Sequence, residues 1–222
     1  MCDIKGFYDG VLSLKYISGS YNNNSHENAI LSLLQTNGFK QATIVATKKK
    51  SILSKKQRNE ILSSGVWDKL DNGEYIHQPC GKNDSPDIIV KCNDKLYFLE
   101  CKSSKMLSPM FNGCIPKKEY IYIFSSEKYN ETTMFYGMDI MSFNKRLLYE
   151  QMTTELQQVL DKYRNTEEWL DDKRGFDFYI RKMFIQVGPA SNTDYFTHAD
   201  RETCEMNVLN SMDSCYELEE NK

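Results

Sequence analysis

The chain has 222 residues, of which 40% are apolar and 27% charged, and its formal net charge is −3. This is the composition of a soluble globular protein, and the length suits one domain with an ample core. No stretch approaches the roughly 18 apolar residues of a membrane helix, and no secretory signal is visible, so we expect a cytoplasmic protein without a membrane partner.

The predicted elements begin with a helix and continue into a group of strands. Apolar residues recur at helical spacing after a polar turn, and Gly38 is a fitting stop for that helix. In chain order, the pattern predicts a helix over residues 26–39, a strand over 42–47, a helix with a capping box from Ser54 to about Leu62, and a strand over 75–78.

The middle of the chain carries the clearest strand signals. Two strand-like runs, residues 87–92 and 95–102, are separated by Asn93-Asp94, which is typical of a tight hairpin turn. The pattern then predicts strands over residues 120–125 and 132–136, a long amphipathic helix from Phe143 to about Leu170, an element over 177–187 compatible with strand or helix, and one possible helix around 200–212. This order predicts an α/β fold with a mixed sheet in a single domain, with a core over about 25–187 and a polar, acidic extension over 188–222.

The hairpin predicts a group of charged side chains. If Asn93-Asp94 is a two-residue turn, Asp87 lies directly opposite Glu100, with Cβ atoms about 4.5–5.5 Å apart. Lys102 projects to the same face as Glu100 because side chains alternate along a strand, whereas Cys101 points to the other face. A register shifted by one residue would break this pairing.

Two neighbouring carboxylates repel each other unless a cation lies between them. Mg²⁺ prefers such oxygen ligands, and held by Asp87 and Glu100 it could polarise a phosphodiester and lower the pKa of a bound water. Lys102 could orient or deprotonate that water, or stabilise the developing negative charge. The bare spacing by itself favours a surface hairpin carrying an ordinary cluster of charged residues, because short patterns recur by chance. The context favours the site, since Pro86 can start a strand and the apolar runs lead to the acidic ends.

Pro86-Asp87 followed by Glu100-Cys101-Lys102 resembles the signature of the PD-(D/E)XK nucleases. The wider stretch resembles type II restriction endonucleases in particular, through the segments 78–87, 100–104, 112–113, 116–117 and 120–126. The resemblance covers about residues 25–187, and only the metal-site motif within it is well defined.

The resemblance implies a restriction-endonuclease-like fold, a mixed and mostly four-stranded β-sheet flanked by helices. It implies Mg²⁺-dependent hydrolysis of double-stranded DNA at a short site by a homodimer, which leaves 5′-phosphate and 3′-hydroxyl ends. A cognate DNA methyltransferase is the functional partner that such a system implies. By this resemblance, Asp87, Glu100 and the carbonyl of Cys101 are metal ligands, and Lys102 activates the water.

Other candidate residues surround this motif. Glu27 lies on the first predicted helix, on the side of its apolar residues, where the family often has a third acid; a first-turn glutamate favoured by the helix dipole is the alternative. A loop over residues 106–115 leaves the catalytic strand and could reach a DNA groove. The candidate DNA contacts are Lys48, Lys49, Lys50, Lys105, Asn112, Lys117, Lys118 and Arg181, and each could instead be an ordinary solvated residue.

The net charge conceals an asymmetry. Residues 1–120 hold 17 Lys and Arg against 12 Asp and Glu, whereas residues 121–222 hold 11 against 19. Positive potential for a polyanion must therefore be local to the first half of the chain. The seven cysteines are scattered and form no C-x-x-C pair, which indicates reduced thiols instead of a disulfide framework or a zinc knuckle.

The sequence thus predicts a type II restriction endonuclease. One alternative is a DNA repair or recombination nuclease of the same fold that recognises structure instead of sequence. Another is a non-catalytic DNA-binding module, which the presence of both acids and the lysine disfavours.

Overall fold

The fold was analysed in a computed structural model, which describes residues 2–18, 25–42, 55–81, 84–112, 115–178, 180 and 183–213. Its longer helices are α1 (Ile4–Ser13), α2 (Ser25–Thr36), α3 (Lys55–Ser63), α4 (Phe143–Arg164) and α7 (Arg201–Asp213). Shorter ones are a 3₁₀ turn (Val66–Lys69), α5 (Glu167–Asp171) and α6 (Ala190–Thr193). None of the described helices is both long enough and apolar enough to cross a membrane.

A six-stranded mixed sheet forms the centre of the fold, in the order β1-β2-β3-β4-β6-β7. Its strands are β1 (Lys40–Gln41), β2 (Glu74–His77), β3 (Ile88–Cys92), β4 (Lys95–Ser104), β6 (Tyr120–Ser126) and β7 (Glu131–Tyr136). The pairs β1–β2 and β4–β6 are parallel, and the other neighbours are antiparallel. A separate antiparallel pair joins β5 (Phe111–Asn112) to β8 (Met183–Phe184). The predicted α/β class with a mixed sheet is confirmed.

Most predicted elements of the first and middle parts are present. The helix predicted before Gly38 is α2, and Gly38 has a φ of 84°, which suits glycine after a helix end. The predicted strand over residues 42–47 and the proposed cap Ser54 lie almost entirely outside the described residues. The long amphipathic helix is divided into α4 and α5 at Asn165 and Thr166.

The main core lies on one face of the sheet. Strand residues such as Ile88, Leu99 and Ile121 pack there against α1, α2 and α7. Helices α1 and α7 both contribute fully or nearly fully buried side chains, including Phe7 and Val208. Two helices outside the predicted core bounds of about 25 and 187, α1 and α7, thus pack into the main core.

Two smaller apolar clusters cover the opposite face. One joins aromatic residues of β6 and β7, including Phe124 and Phe135, to Phe196. The other joins Trp67 and Leu70 to Ile89 of β3. The sheet is therefore covered on both faces, as expected for strands such as β6 in which every residue is buried.

Candidate active site

The β3–β4 hairpin sets the geometry of the candidate site. Cys92 pairs with Lys95 across a turn in which Asn93 and Asp94 have φ values of 49° and 60°, as a two-residue type I′ turn requires. Ile88 pairs with Leu99, and the N–H of Asp87 donates to the carbonyl of Leu99 at 3.0 Å. The predicted register is confirmed, and it places Asp87 beside Glu100.

Alternation along β4 separates the charged side chains from the core. Tyr97 and Leu99 belong to the main core, and Cys101 packs against it. Glu100 and Lys102 therefore project from the opposite face of the strand. Burial raises the pKa of the Cys101 thiol well above its ordinary value, so this thiol stays protonated in the metal-free chain.

The Asp87 carboxylate is held by the backbone of the neighbouring strand. Its Oδ2 accepts a hydrogen bond from the N–H of Cys101 at 2.7 Å. Burial and then the Glu100 carboxylate raise the pKa of Asp87 to about 8, while the Cys101 N–H acts in the opposite direction. The site therefore favours either a proton on Asp87 or an added cation.

Glu100 and Lys102 form an ion pair within this patch. The Nζ of Lys102 donates to Oε1 of Glu100 at 2.6 Å. Burial opposes the charged ammonium, but the charge and hydrogen bond of Glu100, together with Asp87 and Cys101, outweigh burial, so the pKa of Lys102 is raised above its ordinary value. Lys102 is thus held as an ammonium that donates hydrogen bonds.

The second oxygen of Glu100 is unusual for a buried carboxylate. Glu100 is 8% exposed, and its Oε2 is buried without a hydrogen-bond partner in the part of the chain that the structure describes. A buried carboxylate oxygen normally has a donor or a cation, because leaving it unsatisfied costs about 1–3 kcal/mol or more. This oxygen is therefore available to an added ligand.

Glu27 lies close to the pair but has its own partners. It is buried at the start of α2, and its Oε1 lies 2.5 Å from Nε2 of His77 and accepts from the Gln78 amide at 3.1 Å. The Glu27 charge also contributes to the raised pKa of Asp87. The structure thus brings the third predicted acid near the site, although it makes no direct hydrogen bond to Asp87 or Lys102 among those of the described residues.

His77 and Gln78 are the neighbours that sequence reasoning missed. Neither residue is among the predicted site residues. In the sheet, His77 pairs with Ile88, and the N–H of Gln78 donates to the carbonyl of Asp87 at 2.7 Å. An antiparallel pairing of β2 with β3, inferred from the sequence, would have placed both residues next to Asp87.

The donor set was compared with the requirements of a divalent metal ion. Among the described residues, no three His, Cys, Asp or Glu side chains form a ready cluster for a metal. Mg²⁺ commonly takes only one or two protein carboxylates and completes its shell with waters and phosphate oxygens. The pair Asp87 and Glu100, with one unsatisfied buried oxygen, fits such a two-carboxylate site.

A groove opens beside Lys102, which lines it, whereas Asp87 and Glu100 do not. Its volume is about 550 Å³, and it is lined by Tyr16, Cys101, Lys102, Ser103, Ser104, Lys105, Met106 and Met110. Lys105 lies in this lining with an exposed side chain, and its Nζ is 3.7 Å from Oε2 of Glu127. A second cavity of about 80 Å³ lies between β7 and α7, away from these carboxylates.

The structure does not gather all of the predicted DNA contacts at this groove. Lys117 precedes β6 at the end of the sheet opposite Lys102, because Tyr120 pairs with Phe98 and Phe124 pairs with Lys102. The Nζ of Lys117 donates to the Tyr120 hydroxyl at 2.8 Å and lies over its ring. Lys118 is at the same end of the sheet.

The remaining predicted contacts are outside the described part of the structure. Lys48, Lys49, Lys50 and Arg181 lie outside the described residues, and Asn112 is described through its backbone in β5. Comparison of the chain with protein-family models, with curated proteins and with solved structures found no match.

Proposed function

We propose that this chain is a Mg²⁺-dependent nuclease that hydrolyses phosphodiester bonds of double-stranded DNA. The observation that carries the proposal is the register of β3 and β4, which brings Asp87, Glu100 and Lys102 together beside an open groove. Two carboxylates with an unsatisfied oxygen suit a hard divalent cation, and an adjacent ammonium suits a phosphate.

The residues divide the work of hydrolysis among them. Asp87 and Glu100 would hold Mg²⁺, which when bound polarises the phosphodiester and lowers the pKa of a coordinated water. Lys102 remains an ammonium, so it donates a hydrogen bond to the attacking water or to the phosphate oxygen on which negative charge develops. Glu100 fixes the position of that ammonium through its Oε1.

The substrate and the products are the finer part of the proposal. Water adds to the phosphorus and releases a proton to bulk solvent, and the bond to the 3′-oxygen breaks as that oxygen takes up a proton, which leaves a 5′-phosphate and a 3′-hydroxyl. The resemblance to type II restriction endonucleases supports cleavage at a fixed sequence by a homodimer in a cytoplasmic restriction-modification system. A cognate DNA methyltransferase would protect the host site.

A plasmid digest with purified variants tests the proposal. Asp87→Ala, Glu100→Gln and Lys102→Ala should each lower the cleavage rate by at least roughly 10²-fold, as loss of a positioned catalytic group does. Lys5→Ala and Glu202→Gln, which change exposed residues of α1 and α7, are matched controls that should cut like the wild type. Circular dichroism establishes that each variant is folded.

The digest also separates the alternatives. Discrete fragments support a sequence-specific enzyme, whereas cutting only at branches or nicks supports a repair nuclease. Cleavage by Lys102→Ala at the wild-type rate would overturn the mechanism. Tight DNA binding without cleavage under any divalent metal would replace the enzyme with a binding module.

A further inference from the structure

Helix α4 exposes an apolar stripe to solvent. The long predicted amphipathic helix would normally turn its apolar side to the core, but only Arg146 and Leu160 of α4 are buried. Leu148, Val159 and Tyr163 are 66%, 54% and 55% exposed. An apolar surface of this extent on a folded chain marks an interaction site.

The stripe has the spacing of a coiled-coil seam. Tyr149, Met152, Leu156, Val159 and Tyr163 follow one another at alternating intervals of three and four residues. These are the a and d positions of a heptad repeat, which place apolar side chains along one line facing a second helix. Tyr149 at the start of the seam packs against Phe184, and the following seam residues are exposed.

The seam offers apolar area to a partner. Its exposed residues are Met152, Leu156, Val159 and Tyr163, and Leu148 beside it is also exposed. At on the order of 100 Å² for each half-exposed side chain, these five offer roughly 500 Å² of apolar surface per subunit, and the flanking polar residues extend the contact toward the roughly 800 Å² per partner of a standard protein interface.

The flanking charges favour a second copy of the same helix in antiparallel orientation. Glu155 and Lys162 are exposed and occupy the same flanking position of successive heptads. When two copies cross antiparallel with Leu156 opposite Val159 of the partner, Glu155 meets the partner's Lys162 on each side of the two-fold axis. A parallel pair would set Glu155 against the partner's Leu160 instead.

We infer that α4 forms an antiparallel helix pair with α4 of a second copy of this chain. This inference rests on α4 alone and does not depend on the proposed nuclease chemistry. Light scattering after size exclusion should report a dimer for the wild type down to low micromolar concentration. Leu156→Glu should give a monomer with unchanged circular dichroism, because it places a charge at the centre of the seam.

Met206→Glu is the matched control. Met206 lies on α7 with the same exposed fraction, 44%, as Leu156, so this variant should remain dimeric. A wild type that is monomeric at every concentration, or a dimer that Leu156→Glu leaves intact, overturns the inference.

Charge exchange and cross-linking test the orientation. Glu155→Lys and Lys162→Glu should each weaken the dimer, and the double variant should restore it. Under oxidation, Leu156→Cys should cross-link to its own copy more than the wild type does, whereas Leu148→Cys should not. In the antiparallel pair, residue 148 lies about 28 Å along the axis from its copy, given the rise of 1.5 Å per residue. Equal cross-linking of both variants would indicate a parallel pair and overturn the orientation.

Discussion

Asp87 is subject to opposing influences on its proton. The Cys101 N–H stabilises its charged form, whereas burial and the Glu100 carboxylate favour the protonated form and raise its pKa to about 8. The raised pKa means that the metal-free site stores unfavourable electrostatic energy once Asp87 ionises. A bound cation would remove that cost.

This arrangement predicts a specific dependence of stability on pH. Between the ordinary pKa of 3.8 and the folded value of about 8, the folded chain retains a proton that the unfolded chain releases. The free energy of unfolding should therefore fall as pH rises through this window, by up to about 1.4 kcal/mol per pH unit for one proton. Urea unfolding in EDTA at pH 5, 6.5 and 8 measures this slope.

Asp87→Asn provides the comparison for that slope. The amide is neutral at every pH, so the free energy of unfolding of the variant should lack the fall with pH that Asp87 causes. Added Mg²⁺ should stabilise the wild type most at pH 8. Parallel pH profiles for the wild type and Asp87→Asn would contradict the assignment.

Lys102 gives a second prediction at the same scale. Burial lowers the pKa of Lys102, and the Glu100 carboxylate makes the largest contribution among the groups that raise it above its ordinary value. In Glu100→Gln the carboxylate is absent, so the pKa of Lys102 should fall below its wild-type value. Carbon-13 NMR of the labelled lysine side chain measures the change. Glu127→Gln, which changes the partner of the exposed Lys105, serves as the control. A pKa of Lys102 that is unchanged in Glu100→Gln would disprove the dependence on Glu100.

At the level of secondary-structure elements, the turn of the β3–β4 hairpin fixes the register that places Asp87 beside Glu100. Asp94 has a φ of 60°, and its N–H and carboxylate exchange hydrogen bonds with Asn72. Asp94→Ala and Asp94→Gly both lose the carboxylate bond, but only alanine keeps the cost of the left-handed conformation. Asp94→Ala should therefore be less stable than Asp94→Gly by roughly 1–2 kcal/mol. Urea unfolding compares the two, and equal stabilities would show that the turn carries no such strain.

This hairpin also shows which parts of the fold are readable from sequence. Its register depends on a two-residue turn and on alternation, which are local properties, so Asp87, Glu100 and Lys102 could be placed correctly. The pairing of Glu27 with His77 joins residues fifty positions apart in the chain, and no local pattern reports it. The spacing in α4 predicted its apolar side correctly but could not say whether that side meets the core.

At the scale of the whole molecule, helices α1 and α7 close the core together. Val208, Leu209 and Met212 of α7 are buried in the main core with Phe7 and Val11 of α1. The hydroxyl of Tyr97 on β4 also donates to the carbonyl of Ser211. Sequence reasoning gave α7 only as a possible helix, since the stretch around it is polar and acidic.

Disrupting α7 should therefore unfold more than the helix. Val208 is fully buried, so Val208→Asp places a charge in the main core and should cost several kcal/mol, enough to lower the melting temperature sharply. Met206→Asp, on the exposed side of the same helix, should melt close to the wild type. Thermal melts followed by circular dichroism test this, and similar melts for the two variants would show that α7 is peripheral.

The position of α7 has a consequence for the order of events during synthesis. Asp87, Glu100 and Lys102 have all been synthesised once residue 102 is added to the chain. The core beneath them also needs the side chains of α7, which begins at residue 201. At about 5–20 residues per second, the ribosome needs on the order of 10 s to add the intervening segment. The nascent chain thus carries Asp87, Glu100 and Lys102 well before it has the packed core that aligns them, so the geometry of the proposed site would form only after α7 is made.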